Sequence, residues 1–397
     1  MSSSIIVHER TPILRTHRHN HDEDVEDTIP LTPTLISSFL TTVHVSYLNI
    51  LLIFAPFGIL SAHFHWGPVL TFWLNFFAII PLAGLLGFAT EELALRTNQT
   101  VGGLLNATFG NLVEVLVCVI ALKNGLVHVV QSSLLGSILS NMLLVLGFCF
   151  LSGGLNRTSQ EFNATAANTS SALLSIAVLS LLVPAAYVGS IPGGINEVMD
   201  RVLILSRATA IILLVIYGLF LLFQLRTHAH LYEESAGNDD PEIPTLGTGF
   251  AVSLLVGTTV LVGINSEFLV DSIEGLARSW ELSDSFVGLV LLPIVGNAAE
   301  HMSAVTCAIK NKMDLSLGIA VGSSLQIALL VTPFMVVFGW IIGQPMTFFF
   351  QLFDTVVLFI SVLIVNYLIQ DGHSNWLEGA MLLAAYCIIA FAYYMMP

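Results

Sequence analysis

Gly110-Asn111-Leu112-Val113-Glu114 returns 186 residues later as Gly296-Asn297-Ala298-Ala299-Glu300. Both copies lie inside apolar runs long enough to cross a bilayer, one within 102–122 and the other within 285–309. A charged side chain at the bilayer centre costs roughly 2.5–3.5 kcal/mol on insertion scales and is seldom kept without a function. Each glutamate has an Asn three residues earlier, and no Lys or Arg lies near either one in its span. The pair therefore predicts an intramembrane cation site built from two halves. A lone Asn or Ser in a membrane helix is usually interhelical glue; the repetition weighs against that here.

Hydrophobic residues make up 55% of the 397-residue chain and charged residues only 10%. Soluble domains carry about 25% charged residues, so the composition is that of an all-α polytopic membrane protein. The net charge of −15 is concentrated in the N-terminal tail and in one central loop holding Glu233, Glu234, Asp239, Asp240 and Glu242. This acidity excludes nucleic-acid binding, which needs basic surface. The cysteines, Cys118, Cys149, Cys307 and Cys387, all fall in apolar spans and form no CxxC pair, so neither a disulfide framework nor a zinc site is indicated.

Hydropathy predicts 11 transmembrane helices, at about 46–63, 67–93, 102–122, 132–152, 168–188, 203–225, 248–270, 285–309, 315–342, 346–370 and 375–395. With a cytosolic N-terminus, the inner loops hold Arg10, Arg15, Arg18, Arg96, Arg157, Arg226, Lys310 and Lys312, against Lys123, Arg201 and Arg278 outside. The positive-inside rule favours this orientation and puts the C-terminus on the far side. The repeat continues at the same offset: Gly136-Ser137-Ile138-Leu139-Ser140 aligns with Gly322-Ser323-Ser324-Leu325-Gln326. The organisation is then a disordered cytosolic tail over 1–44, an extra N-terminal helix at 46–63, a first five-helix repeat over 67–225, an acidic cytosolic loop at 226–247 and a second repeat over 248–395. Five is odd, so the second repeat enters the membrane inverted, and inverted repeats with a midplane site are a transporter architecture.

Asn and Glu at i and i+3 share a helical face. Carboxylates, amide oxygens, hydroxyls and backbone carbonyls are ligands for a hard cation, and calcium tolerates irregular oxygen sets better than magnesium; manganese fits the same set. Two facing carboxylates repel, and either a metal or protons relieve the repulsion. Metal and protons therefore compete for the same oxygens, which is the physical core of a cation/proton antiporter. Glu114 and Glu300 are the expected metal and proton ligands. Asn111, Asn297, Ser137, Ser140, Ser323, Gln326, Gly110 and Gly296 complete or shape the shell. Glu91, Glu92, Asp271 and Glu274, at span ends, are candidate entrance residues. His301 points about 100° away from Glu300 and is read as packing. Asp354, inside the tenth span, has no assigned partner.

At these residues the chain resembles the cation/proton exchanger family of the calcium/cation antiporter superfamily. Gly102-Gly103-Leu104-Leu105-Asn106-Ala107-Thr108-Phe109-Gly110-Asn111 through Glu114 is similar to its first signature region. Gly296 through His301, Lys312-Met313-Asp314-Leu315 and Gly322 through Gln326 are similar to its second, and Asn375-Trp376-Leu377-Glu378-Gly379 extends the likeness to the last span. The resemblance implies eleven helices, alternating access, no bound cofactor, and sequestration of cytosolic calcium in the vacuole against protons, with manganese as a further cargo of some members. It places the conserved glutamates at Glu114 and Glu300. Glu9-Arg10-Thr11-Pro12-Ile13-Leu14 reads as an acidic dileucine-like sorting signal suited to a vacuolar membrane. A sodium/calcium exchanger and a cation channel are the competing functions. No HExxH, GxSxG or paired-Asp motif supports an enzyme.

Overall fold

The computed structural model describes residues 35–191, 195–229 and 244–396. Among these, eight helices are long and apolar enough to cross a membrane: Pro68–Ala94, Thr100–Lys123, Val127–Gly154, Ala164–Gly189, Val198–Thr227, Thr248–Asp271, Met313–Ile342 and Trp376–Met395. Two bent pairs, Leu35–His44 with Tyr47–His63 and Asp284–Gly296 with Ala298–Ile309, bring the number to ten. The expected eleven is not reached by length, because Leu352–Leu368 has only 17 residues.

That helix starts later than the 346–370 expected from hydropathy, and the reason is tertiary. Met313–Ile342 stops at Gly343, whose φ of 79° ends it in a left-handed turn. The apolar stretch that follows runs without helix. Gln131 donates to the carbonyls of Thr347 (2.9 Å) and Phe349 (3.2 Å), and the Phe348 N–H donates to Ser206 (3.0 Å). Non-helical backbone at membrane depth is tolerated where protein groups satisfy it in this way. Asp354 also finds its place here, capping its own helix at Gln351 and accepting the Tyr393 hydroxyl.

The disorder expected over 1–44 stops short at the other end of the chain. Leu35–His44 is helical and meets the next helix at 98°. Leu35, Ile36, Phe39, Leu40 and Val43 give it exposed apolar surface that the polar character of the tail obscured. Residues 1–34, including the candidate sorting signal, and the centre of the acidic loop, 230–243, lie outside the described residues. A two-stranded antiparallel ladder, Gln160–Glu161 with His373–Ser374, ties two loops together in an otherwise helical fold.

Burial separates central helices from peripheral ones. Val127–Gly154, which carries Ser137 and Ser140, is 83% buried over its apolar window, whereas Val198–Thr227 is 17% buried and presents Ile211, Ile212, Val215 and Leu219 outward. Pro68–Ala94 and Thr248–Asp271 form the most extensive helix pair. The last helix is pinned at its start by a capping box between Asn375 and Glu378. One turn on, Gly379 lies against the backbone of Val127–Gly154: a Cβ there would sit 2.6 Å from the Gly147 carbonyl oxygen. Gly379→Val should therefore lower stability by about 1–3 kcal/mol, read as a fall in thermal midpoint in detergent. Gly84→Ala, where nothing lies within 4 Å, should leave the midpoint unchanged or raise it. Equal midpoints for the two variants would show that the glycine contact is not needed.

Candidate functional site

Both motif copies interrupt their helices. Gln99–Phe109 ends before Gly110, and Leu112–Lys123 restarts after Asn111 (φ −101°, ψ 22°). Leu292–Gly296 ends at Asn297 (φ −95°, ψ 6°), and Ala298–Ile309 follows. The shared helical face inferred from i, i+3 spacing is thus replaced by a break. Each Asn stands just before a restarting half-helix, and each Glu lies in its first turn. There the helix dipole and free N–H groups favour negative charge. The Asn-x-x-Glu spacing is that of a capping box, yet neither Asn side chain caps its own helix. Both reach across to the other repeat.

Those crossings are equivalent under the 186-residue offset. Asn297 donates to the Ser137 hydroxyl at 3.2 Å, and Ser323 donates to the Asn111 amide oxygen at 3.2 Å. The glycines make room for the opposing glutamates. A Cβ on Gly296 would lie 2.8 Å from Glu114 Oε1, and one on Gly110 would lie 3.9 Å from Glu300 Oε1. Gly-Asn-x-x-Glu thus meets the other repeat in both copies: the glycine faces the other glutamate, closely only at Gly296, and the Asn holds the other serine.

The symmetry then fails in a useful way. The single Ser323 hydroxyl proton is shared between Asn111 Oδ1 and Glu300 Oε2, the latter at 2.5 Å, and Asn111 donates to Gln326 Oε1 at 2.5 Å. The counterpart of Gln326 is Ser140, a shorter side chain that makes no bond to Asn297. Its hydroxyl lies instead 3.4 Å from His301 Nε2. His301, read from its own helix as packing, thus touches the site through the neighbouring helix, a contact that a single helical wheel does not reveal. Glu114 is buried with neither oxygen bonded, and Asn297 Oδ1 is buried and unpartnered as well. Buried polar atoms are nearly always paired. Three orphaned acceptor oxygens beside the half-buried Glu300 carboxylate form a place for a hard cation or for protons.

The four candidate entrance residues behave differently. Glu92 is buried and accepts from Thr245 N and Oγ1 and from Leu246 N (2.6–3.0 Å), while Arg96 donates to the Leu246 carbonyl. Glu92 thus anchors the end of the loop just ahead of Thr248–Asp271. Glu91 is exposed beside it. Asp271 accepts from Asn124 at 2.9 Å, and Glu274 pairs with Arg278 at 3.3 Å, both ends exposed. Glu92, Asp271 and Glu274 are thus held by partners outside the Gly-Asn-x-x-Glu cluster.

The sequence profile of the sodium/calcium exchanger protein family matches residues 67–226 and 250–395. The chain is 44% identical over 394 residues to a vacuolar calcium ion transporter of Schizosaccharomyces pombe, covering 98% of this chain and 94% of that protein. It is 46% identical over 374 residues to vacuolar cation/proton exchanger 2 of Oryza sativa subsp. japonica, with 89% and 84% covered. The solved structure of native YfkE is 37% identical with a TM-score of 0.74, covering 88% of this chain and all of the other. A sodium-calcium exchanger structure, NCX_Mj, shares the fold at 19% identity and a TM-score of 0.51, over 82% of this chain and 98% of that one. The chain belongs to the sodium/calcium exchanger protein family and, within it, to the cation/proton exchangers.

Proposed function

We propose that this chain is a vacuolar calcium/proton antiporter, binding cytosolic calcium between Glu114 and Glu300 and releasing it to the vacuolar lumen in exchange for protons. The observation that carries the reading is the donor-free Glu114 carboxylate facing Gly296. Two uncompensated carboxylates inside the bundle are unfavourable by several kcal/mol per ion. The site is therefore stable when calcium bridges them or when protons neutralise them, and the unloaded doubly charged form is disfavoured in transit. Coupling follows from that exclusion. Asn111 and Asn297 hold Ser323 and Ser137 in place around the cation, and Ser323 steadies Glu300. Manganese, another hard divalent cation, is a second cargo suited to the same oxygens. The relatives named for vacuolar calcium transport and cation/proton exchange support both cargo and compartment. The excess of Lys and Arg in alternate loops supports a cytosolic N-terminus and a lumenal C-terminus.

Glu114→Gln and Glu300→Gln should each reduce calcium uptake into vesicles with an imposed pH gradient to background, while the protein level stays normal. Uptake that survives either change, or that follows a sodium gradient instead, sinks the reading. Gly296→Ala places a methyl group 2.8 Å from Glu114 Oε1, so the carboxylate must shift. Misplacing a ligand group by about 1 Å can cost 10²-fold, and the half-saturating calcium concentration should rise at least tenfold. An unchanged value would show that Gly296 does not make room for Glu114. Competition also fixes a sign for pH. Acidifying the cytosolic face should raise the half-saturating calcium concentration without lowering the maximal initial rate; a fall in the maximal rate alone would argue against shared oxygens.

A further inference from the structure

The 186-residue equivalence assigns every contact in one repeat a counterpart in the other, and one pair of counterparts differs sharply. On one side of the site, Val127–Leu139 touches the helix ahead of the second motif backbone to backbone. A Cβ on Gly136 would run into Leu289, 2.7 Å from its Cα. A Cβ on Gly288 would lie 2.9 Å from Ser132 Cβ and 3.0 Å from the Val129 carbonyl oxygen. The equivalent positions on the other side are Gly322 for Gly136, Gly103 for Leu289, Gly102 for Gly288 and Gly318 for Ser132.

All four are glycine, and three of them, Gly103, Gly318 and Gly322, have no neighbouring-helix backbone among their nearest atoms. Gly318 and Gly322 meet nothing within 4 Å. Gly103 faces only the flexible Leu225 side chain, whereas Gly102 already packs against the end of Pro68–Ala94, where a Cβ would lie 3.1 Å from the Ala94 carbonyl oxygen. Burial tells the same story: Val101 and Leu104 are 41% and 42% exposed, whereas their equivalents Val287 and Val290 are 0% and 8%. Each mid-helix glycine costs up to about 1 kcal/mol relative to alanine. Three such positions, Gly103, Gly318 and Gly322, matched to a contact that is formed on the opposite side, have a purpose outside this conformation.

We propose that in the second conformation of the cycle Gln99–Phe109 docks against Met313–Gln326 through Gly103, Gly318 and Gly322, while the Gly136–Leu289 and Gly288–Ser132 contacts part. The inference rests on the exchange reading for its purpose, but its geometry is independent of which ion is carried. The structure is then the state open between Gln99–Phe109 and Met313–Gln326, the side on which Glu300 is only half-buried. Closure on that side needs backbone-to-backbone approach, and any side chain at these three positions would hold the helices apart.

The test pairs Gly103→Cys with Gly322→Cys in the full chain in vesicles, with oxidant added and the disulfide identified by peptide mass mapping. The expected result is a 103–322 disulfide, with calcium uptake lowered at least tenfold and restored by reductant. Absence of that disulfide overturns the proposal. A second variant, Gly318→Leu, should keep the wild-type thermal midpoint and lose at least tenfold in uptake, and wild-type uptake by this folded variant overturns it equally. A wild-type chain that takes up no calcium under a pH gradient would instead overturn the exchange reading, and the 103–322 disulfide would still report the movement.

Discussion

Glu114 keeps both carboxylate oxygens free of donors in the middle of a helix bundle, and much of the surrounding arrangement serves that condition. A carboxylate in such a place would normally be quenched by an Arg, a Lys or a ring of N–H groups. No Lys or Arg bonds to Glu114, Gly296 adds no side chain, and the adjacent Asn297 directs its amide N–H groups to Ser137 and to the Pro293 carbonyl. The polar groups nearest the carboxylates bond to one another and leave the buried Glu114 oxygens and Asn297 Oδ1 without a donor.

The broken helices make this arrangement affordable in a membrane. A continuous helix would present Asn and Glu on one face but offer no local positive potential. Interrupting it at Asn111 and Asn297 places each Glu in a first turn, where the dipole offsets part of the cost of its charge. The two serines, one from each repeat, complete the lattice through the equivalent 3.2 Å bonds. Symmetry fixes the frame, and the direction of the Asn–Ser bond breaks it: Ser323 donates to Asn111 Oδ1, whereas Ser137 accepts from the Asn297 amide and leaves Asn297 Oδ1 open.

Much of this was legible in the sequence because it is repetitive: the motif, the downstream serines and the common offset single out residues that the fold brings together. The break in each helix was not, because Asn-x-x-Glu within an apolar run satisfies helical periodicity and capping spacing equally well. The late start of Leu352–Leu368 was hidden because its cause lies far away in sequence, in Gln131 and Ser206. Glu92 read as an entrance residue because a carboxylate at a span end looks solvated, and only the fold brings Thr245 and Leu246 onto it. His301 needed the neighbouring helix to reveal Ser140. In each case the missing information was a tertiary contact.

The glycines show how far a repeat can be read once a single conformation is known. Gly296 and Gly136 are explained by contacts that exist: one admits Glu114, the other admits the Leu289 backbone. Gly318 and Gly322 have no such neighbour, yet they occupy the positions that symmetry pairs with a tight contact. A protein held in one conformation would gain stability from alanine at both. Retaining glycine there makes sense only if the empty side must close as tightly as the full side does, so that the two Gly-Asn-x-x-Glu motifs face the two compartments in turn from the same fixed lattice of Asn and Ser.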